Sequence, residues 1–288
     1  MKILITGANG MLAKEVKQRF EKDNDLILTD VDELDITDEK AVMKYIEDCK
    51  PDCIINCAAY TAVDKAETAG EIVERINADG PGNLAKAANA NKSILVHVST
   101  DYVFGGDLDI SKDYKEDDSK NPVTAYGKTK LHGEENIAKN IEQYYIFRTA
   151  WLYGIGGNNY VKTMLKLGNS KDELSVVSDQ HGSPTYAKDL ADIIYQAIDK
   201  KIPYGVYNST NEGYTTWFDF TKKIFELSNI TCKVNPVTTE EYIEMMGTTQ
   251  AKRPKNSQMS KGKLESNGIA IPQWEDGLKR YLIEEGRI

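Results

Sequence analysis

Residues 1–13, Met-Lys-Ile-Leu-Ile-Thr-Gly-Ala-Asn-Gly-Met-Leu-Ala, carry three signals in succession. The apolar run over 3–5 predicts a buried strand. Gly7 and Gly10 follow at once, and Met11, Leu12, Val16 and Phe20 then recur at helical spacing. A glycine turn between strand and helix lets backbone N–H groups approach a diphosphate. The first helical turn adds unpaired donors and a partial positive charge. A Cβ at Gly7 or Gly10 would block that approach, so 7–12, with Asn9, Gly10, Met11 and Leu12, is the expected diphosphate cradle. The third small position of this pattern is filled by Ala13.

The second requirement is an acid about 20 positions on, closing the next strand, to hold the adenosine ribose hydroxyls. Residues 26–29 predict that strand and Asp30 ends it. A carboxylate there repels a 2′-phosphate, so NADH is expected in preference to NADPH, without excluding the latter. Asp35 and Ile36 follow; they either sit against the adenine or serve only as loop and cap chemistry, Thr37 or Asp38 capping a helix to about residue 49.

The pattern then repeats. Residues 53–57 predict a third strand, and the small residues Ala58 and Ala59, with Tyr60, leave room for a flat cofactor at its end. An acid- and alanine-rich helix is expected from 63, turned near Gly70, and another over 77–90. A fourth strand follows over 93–98. Strands alternating with helices predict a doubly wound parallel α/β sheet. Past 150 the pattern changes. Helices over 159–167 and 187–198, short strands over 174–177 and 205–208, a helix after Trp217, a strand around Val234 and a last helix from Trp274 are expected. The expected division is a dinucleotide-binding domain over 1–150 and a mainly substrate-binding lobe over 151–288. The two are interleaved, with 185–210 returning to the first.

Composition narrows the function classes. The chain has 288 residues and a net charge of −9, from 45 acidic and 36 basic residues spread along it, which disfavours a nucleic-acid surface. No run approaches the roughly 18 apolar residues of a membrane helix, and no signal-peptide pattern precedes the first strand. A cytoplasmic protein without membrane contact is expected. Cys49, Cys53 and Cys57 are evenly spaced, but 53 and 57 fall on one face of a buried strand without nearby partners. Reduced thiols, not a metal site, are expected there and at Cys232.

Tyr126 and Lys130 lie four apart at the start of a predicted helix and so share a face. A phenol titrates at about pH 10 when free, and a neighbouring ammonium lowers that value, making the pair a proton donor near neutrality. Lys130 can also hydrogen-bond a nicotinamide ribose. Thr100 closes the fourth strand where the reactive ring should lie, its hydroxyl available to a substrate carbonyl. Ser99 points away by strand alternation. His97, inside the strand, is expected to be a core histidine. Arg253 is a diphosphate-binding candidate.

These pieces, with 56–64, 99–104, 148–151 and 179–185, occur in the order and spacing of the extended short-chain dehydrogenases/reductases that act on nucleotide sugars, which the chain resembles over its whole length. The resemblance implies that Thr100 and Asp101 contact a sugar and that Trp151 lines its pocket. Related dehydratases carry Asp-Glu after the threonine, whereas here Asp101-Tyr102 lacks the glutamate, so reduction without elimination is implied. The implied substrate is a dTDP-sugar, the 4-ketone of dTDP-4-dehydro-6-deoxy-L-mannose. A homodimer is a possible assembly, and no required metal is expected. Two rivals stand beside this reading. One is a non-catalytic subunit resembling the regulatory subunit of methionine adenosyltransferase; the other is a different nucleotide-sugar reductase or an epimerase.

Overall fold

A computed structural model describes residues 1–247 and 251–288. Six parallel strands form the central sheet: β1 (Lys2–Thr6), β2 (Asp25–Thr29), β3 (Cys53–Asn56), β4 (Ile94–Thr100), β5 (Tyr144–Thr149) and β6 (Gly205–Asn208). Their order is β6-β5-β4-β3-β1-β2. The order reverses between β1 and β3, and a crevice at such a switch point receives ligands beyond the carboxyl ends of the strands.

Both faces of the sheet are covered, which explains why β3 is buried at every position and apolar up to Asn56 at its end. On one face α1 (Met11–Phe20) packs beside α5 (Ala187–Asp199), joining Val16 and Phe20 to Leu190 and Ile194. On the other lie α2 (Glu39–Cys49), α3 (Gly80–Asn91) and α4 (Ala125–Asn140), which bury Val42, Leu84 and Ile137. Asp38 caps α2 by accepting from the N–H of Ala41, and Thr124 caps α4 by accepting from that of Gly127.

The stretch before α3 departs from the expected simple break. Short helices Val63–Ala66 and Glu71–Glu74 run into a π-helical turn, Arg75–Asp79, that leads directly into α3. Pro81 has no N–H to give the carbonyl of Asn77, so the α ladder loses a bond there and the turn widens. The remaining chain builds a smaller lobe around Tyr153, Tyr186, Phe220, Trp274 and Tyr281. The strand Lys233–Val237 pairs in parallel with Glu173–Val177, and His181–Gly182 pairs antiparallel with Thr215–Thr216. The helix Thr239–Met246, which composition did not announce, is set by a capping box between Thr238 and Glu241.

Candidate active site

Three adjoining cavities run along the carboxyl ends of the strands. The first, about 410 Å³, lies between Gly7, Gly10, Asp30, Asp35, Ile36 and Arg75. Gly7 has φ +65°, and a Cβ there would stand 2.7 Å from the amide nitrogen of Ala58. The turn is therefore shaped by a residue without a side chain, in contact with the end of β3. No side chain caps α1 at Gly10, which leaves its first-turn amides facing the cleft. Asp30 Oδ2 accepts the N–H of Asn9 at 2.9 Å and its Oδ1 accepts that of Val31. The acid thus braces the glycine turn as well as walling the cavity. Ala58 and Ala59 also line this space. Asn9 and Tyr60, expected at the cofactor, are not among the residues lining this cavity or the next; the N–H and carbonyl of Tyr60 are both held by the side-chain amide of Asn77.

The second cavity, about 440 Å³, shares Gly10 and Ala59 with the first and continues past Met11, Leu12, Thr100 and Asp101 to Tyr126 and Lys130. Ser99 reaches the same wall, although strand alternation points it away. The chain leaves β4 for a 3-10 turn immediately after Thr100, and the Ser99 hydroxyl is buried without a hydrogen-bond partner. Thr100 Oγ1 donates to Asp101 Oδ1 at 2.9 Å, and Ser257 Oγ donates to Asp101 Oδ2 at 2.6 Å. Burial nevertheless raises the Asp101 carboxyl to about 6, against the opposing pull of those hydroxyls.

Tyr126 does not show the expected lowering by Lys130. Burial pushes its phenol above the ordinary value. Lys130 is turned away to Val98 O at 2.7 Å and His97 Nε2 at 3.0 Å. Burial lowers the lysine to about 8.

The third cavity, about 350 Å³, begins at Tyr102 and Trp151, which it shares with the second. Trp151 has φ +50°, unusual for so bulky a residue. Its ring stacks on Trp217 with centroids 3.7 Å apart, over Gly182, where a Cβ would approach the indole to 2.8 Å. Arg253 lies in this wall. It donates to both carboxylate oxygens of Asp64 at 2.8 and 2.7 Å and to Tyr102 Oη at 3.0 Å, so its fork is already engaged. Asp64, Tyr160, Gln180 and Trp217 also line the cavity but were not singled out in the sequence. Trp217 follows a strand pair, and only the fold brings it to Trp151. Among the described residues no cluster of three or more His, Cys, Asp or Glu side chains is placed to hold a metal, and no helix is long and apolar enough to cross a membrane.

Known proteins share this fold and sequence over nearly the whole chain. The family model described as "RmlD substrate binding domain" matches residues 1–286. The dTDP-4-dehydrorhamnose reductase of Salmonella typhimurium is 38% identical, covering 99% of this chain and 98% of its own. A crystal structure of a dTDP-4-dehydrorhamnose reductase from Clostridium acetobutylicum superposes with a TM-score of 0.94 at 47% identity, covering 99% of this chain and all of that one. One from Bacillus anthracis, solved in complex with NADP, gives 0.92 at 42% identity, covering 98% and 99%. At 15% identity a Thermus thermophilus UDP-glucose 4-epimerase still gives 0.84, a likeness of fold. The chain belongs to the dTDP-4-dehydrorhamnose reductase family.

Proposed function

We propose that the protein reduces the C4 ketone of dTDP-4-dehydro-6-deoxy-L-mannose to give dTDP-L-rhamnose, with NADH preferred and NADPH accepted. The observation that carries this reading is the meeting of Thr100, Tyr126 and Lys130 in one cavity, between the glycine cradle and the Trp151 cavity.

The bound nicotinamide supplies hydride. The residues of the chain do the rest. Gly7, Gly10, Met11 and Leu12 receive the diphosphate, Asp30 the adenosine ribose, and Asp35 and Ile36 the adenine face, with Ala58 and Ala59 as the floor. NADH preference rests on the carboxylate of Asp30 at that rim, which would face a 2′-phosphate with like charge. Burial keeps the proton on Tyr126 Oη until alkoxide charge develops on the sugar, when the phenol donates it. Thr100 orients the ketone oxygen, and Lys130, lining the same cavity, would donate to the nicotinamide ribose. Asp101 and Trp151 bound the sugar, and Arg253, held by Asp64, faces the diphosphate of the substrate. The sheet half with α5 and β6 would hold the cofactor, and the lobe after 151 the sugar nucleotide.

The test is loss of NADH absorbance when the purified protein meets the ketosugar, generated in place by a dehydratase and an epimerase. Tyr126→Phe is expected to lower kcat by 10²-fold or more, on the order of what general acid catalysis contributes. Unchanged turnover in that variant would remove Tyr126 from the role, and no oxidation of either cofactor would favour a non-catalytic nucleotide-binding subunit.

A further inference from the structure

The contacts of His97 have a direction, and it can be followed atom by atom. Asn56 Oδ1 accepts the backbone N–H of Ala58 at 3.1 Å and the hydroxyl of Thr6 at 2.7 Å. A backbone N–H only donates, so that oxygen is assigned and the other end of the amide is the NH2. The NH2 faces His97 Nδ1 at 3.0 Å, so Nδ1 must be the bare, accepting nitrogen. His97 is fully buried and burial holds it neutral, so its one proton sits on Nε2. Nε2–H points at Lys130 Nζ, 3.0 Å away.

An ammonium has three donors and no acceptor and would set N–H against N–H at this contact. Placing the histidine proton on Nδ1 only moves the collision to Asn56. The string from Ala58 through Asn56 and His97 to Lys130 and on to Val98 O is satisfied throughout only if Nζ carries a lone pair. We propose that His97, oriented by Asn56, is a positioning residue that favours the neutral amine of Lys130 over the ammonium in the resting protein. The inference rests on the proposed function only in taking Lys130 as part of the cofactor site.

The surroundings agree. Burial is the largest influence on Lys130 and lowers it to about 8. Glu134, one turn along α4, would favour the ammonium, but both its oxygens are taken by Arg148 of β5 at 2.9 and 2.7 Å. Cys57, just past β3, is pushed by burial to about 12 and is uncharged. Tyr126 on the same helix is held as the neutral phenol, and Asp101 beyond β4 is taken up by Thr100 and Ser257. A neutral Lys130 donates one N–H to Val98 O, accepts from His97, and keeps one N–H for a ligand in the cleft. An anionic dinucleotide arriving beside this amine favours the ammonium, so binding should draw in a proton at pH above about 8.

The experiment is a pH titration of the full chain with ¹³Cε-labelled lysine, the Lys130 signal identified by its loss in Lys130→Met. The wild type is expected to show a midpoint at about 8. Asn56→Asp, which puts a second acceptor opposite Nδ1, should turn the histidine proton to Nδ1 and offer Nε2 to an ammonium. His97→Gln can present an oxygen to Nζ. Both are expected to raise the midpoint by a unit or more, and either one folded is sufficient for the comparison. A wild-type Lys130 that stays charged to pH 10, or a midpoint that neither variant moves, overturns the inference. NADH binding by calorimetry in buffers of different ionisation enthalpy at pH 8.5 provides the second readout. Proton uptake in the wild type, reduced in the variants, supports the inference. A midpoint at about 8 without proton uptake upholds neutral Lys130 and removes it from the cofactor site, a failure of the proposed function alone.

Discussion

Asp101 shows how a single carboxyl is placed between two demands. Two hydroxyls hold its oxygens, which favours the ion, yet the loss of solvent outweighs them and the group titrates at about 6. An acid whose pKa is raised on folding contributes stability below its unfolded value, about 3.9, and loses it as pH rises through the folded one. Between pH 4 and 6 this residue should therefore lower stability as pH rises, on the order of 2–3 kcal/mol in all. Asp101→Asn keeps the shape and removes the titration. Urea unfolding of both proteins from pH 4 to 7 should show the stability of the variant relative to wild type rising across that window. Parallel curves would mean that Asp101 is not buried as described. At Gly7, where φ is +65° and Ala58 is in contact, Gly7→Ala is expected to reduce NADH affinity tenfold or more in a binding titration, because the loop must move to admit a methyl group.

At the scale of elements, α4 carries the proposed proton donor Tyr126 and Lys130 into the cleft, and two close approaches set its position. A Cβ at Gly127 would lie 2.2 Å from the carbonyl of Tyr102, and one at Gly133 would lie 2.2 Å from that of Asn77. These two glycines let the helix lie against the turn after β4 and against the π-helical turn before α3. A third tie is the pair of Glu134 with Arg148, both buried, whose guanidinium also donates to Glu116 O at 2.9 Å. Removing one partner strands a buried charge. Arg148→Met should cost about 3–5 kcal/mol in denaturant unfolding, and Arg148→Met with Glu134→Leu should recover a large part of that loss. Additive effects would show that the pair is not coupled as the geometry requires. Gly-Lys-Thr-Lys in the sequence signals the helix, whereas the reason for its glycines lies in carbonyls contributed by distant segments.

In the whole molecule the two halves depend on one another. After 55 intervening residues, many of them in the other lobe, the chain returns from β5 at Thr149 to β6 at Gly205, which pairs in parallel beside β5, with Gly205 opposite Tyr145 and Asn208 opposite Arg148. On the way α5 covers α1 and the sheet with Leu190, Ala191 and Ile194. A fragment of residues 1–150 would expose that apolar face and leave β5 as an edge. It is expected to lack the near-ultraviolet circular dichroism of the full chain. A fixed tertiary signal from the fragment alone would show that α5 and β6 are dispensable. The link between Asp64 and Arg253 also spans the molecule, but it is partly exposed and should contribute under about 1 kcal/mol to stability. Its use is to hold the C-terminal segment beside Tyr102.

What the sequence by itself determined is local: a glycine turn between a strand and a helix, an acid at the next strand end, a hydroxyl closing β4, and a tyrosine and lysine one helical turn apart. Each is legible because backbone geometry converts a short spacing into a direction in space. The chain family follows from their order. Tertiary structure decided what spacing cannot encode. His97 lies on β4 and Lys130 on α4, and only the packing of helix on sheet makes the inner histidine a partner of the site lysine. Trp217 reaches Trp151 through the register of short strands, and β6 joins the sheet after a long excursion. Such contacts have no period along the chain. They exist because buried polar groups and apolar faces must find partners, and the partner is chosen by the shape of the folded core.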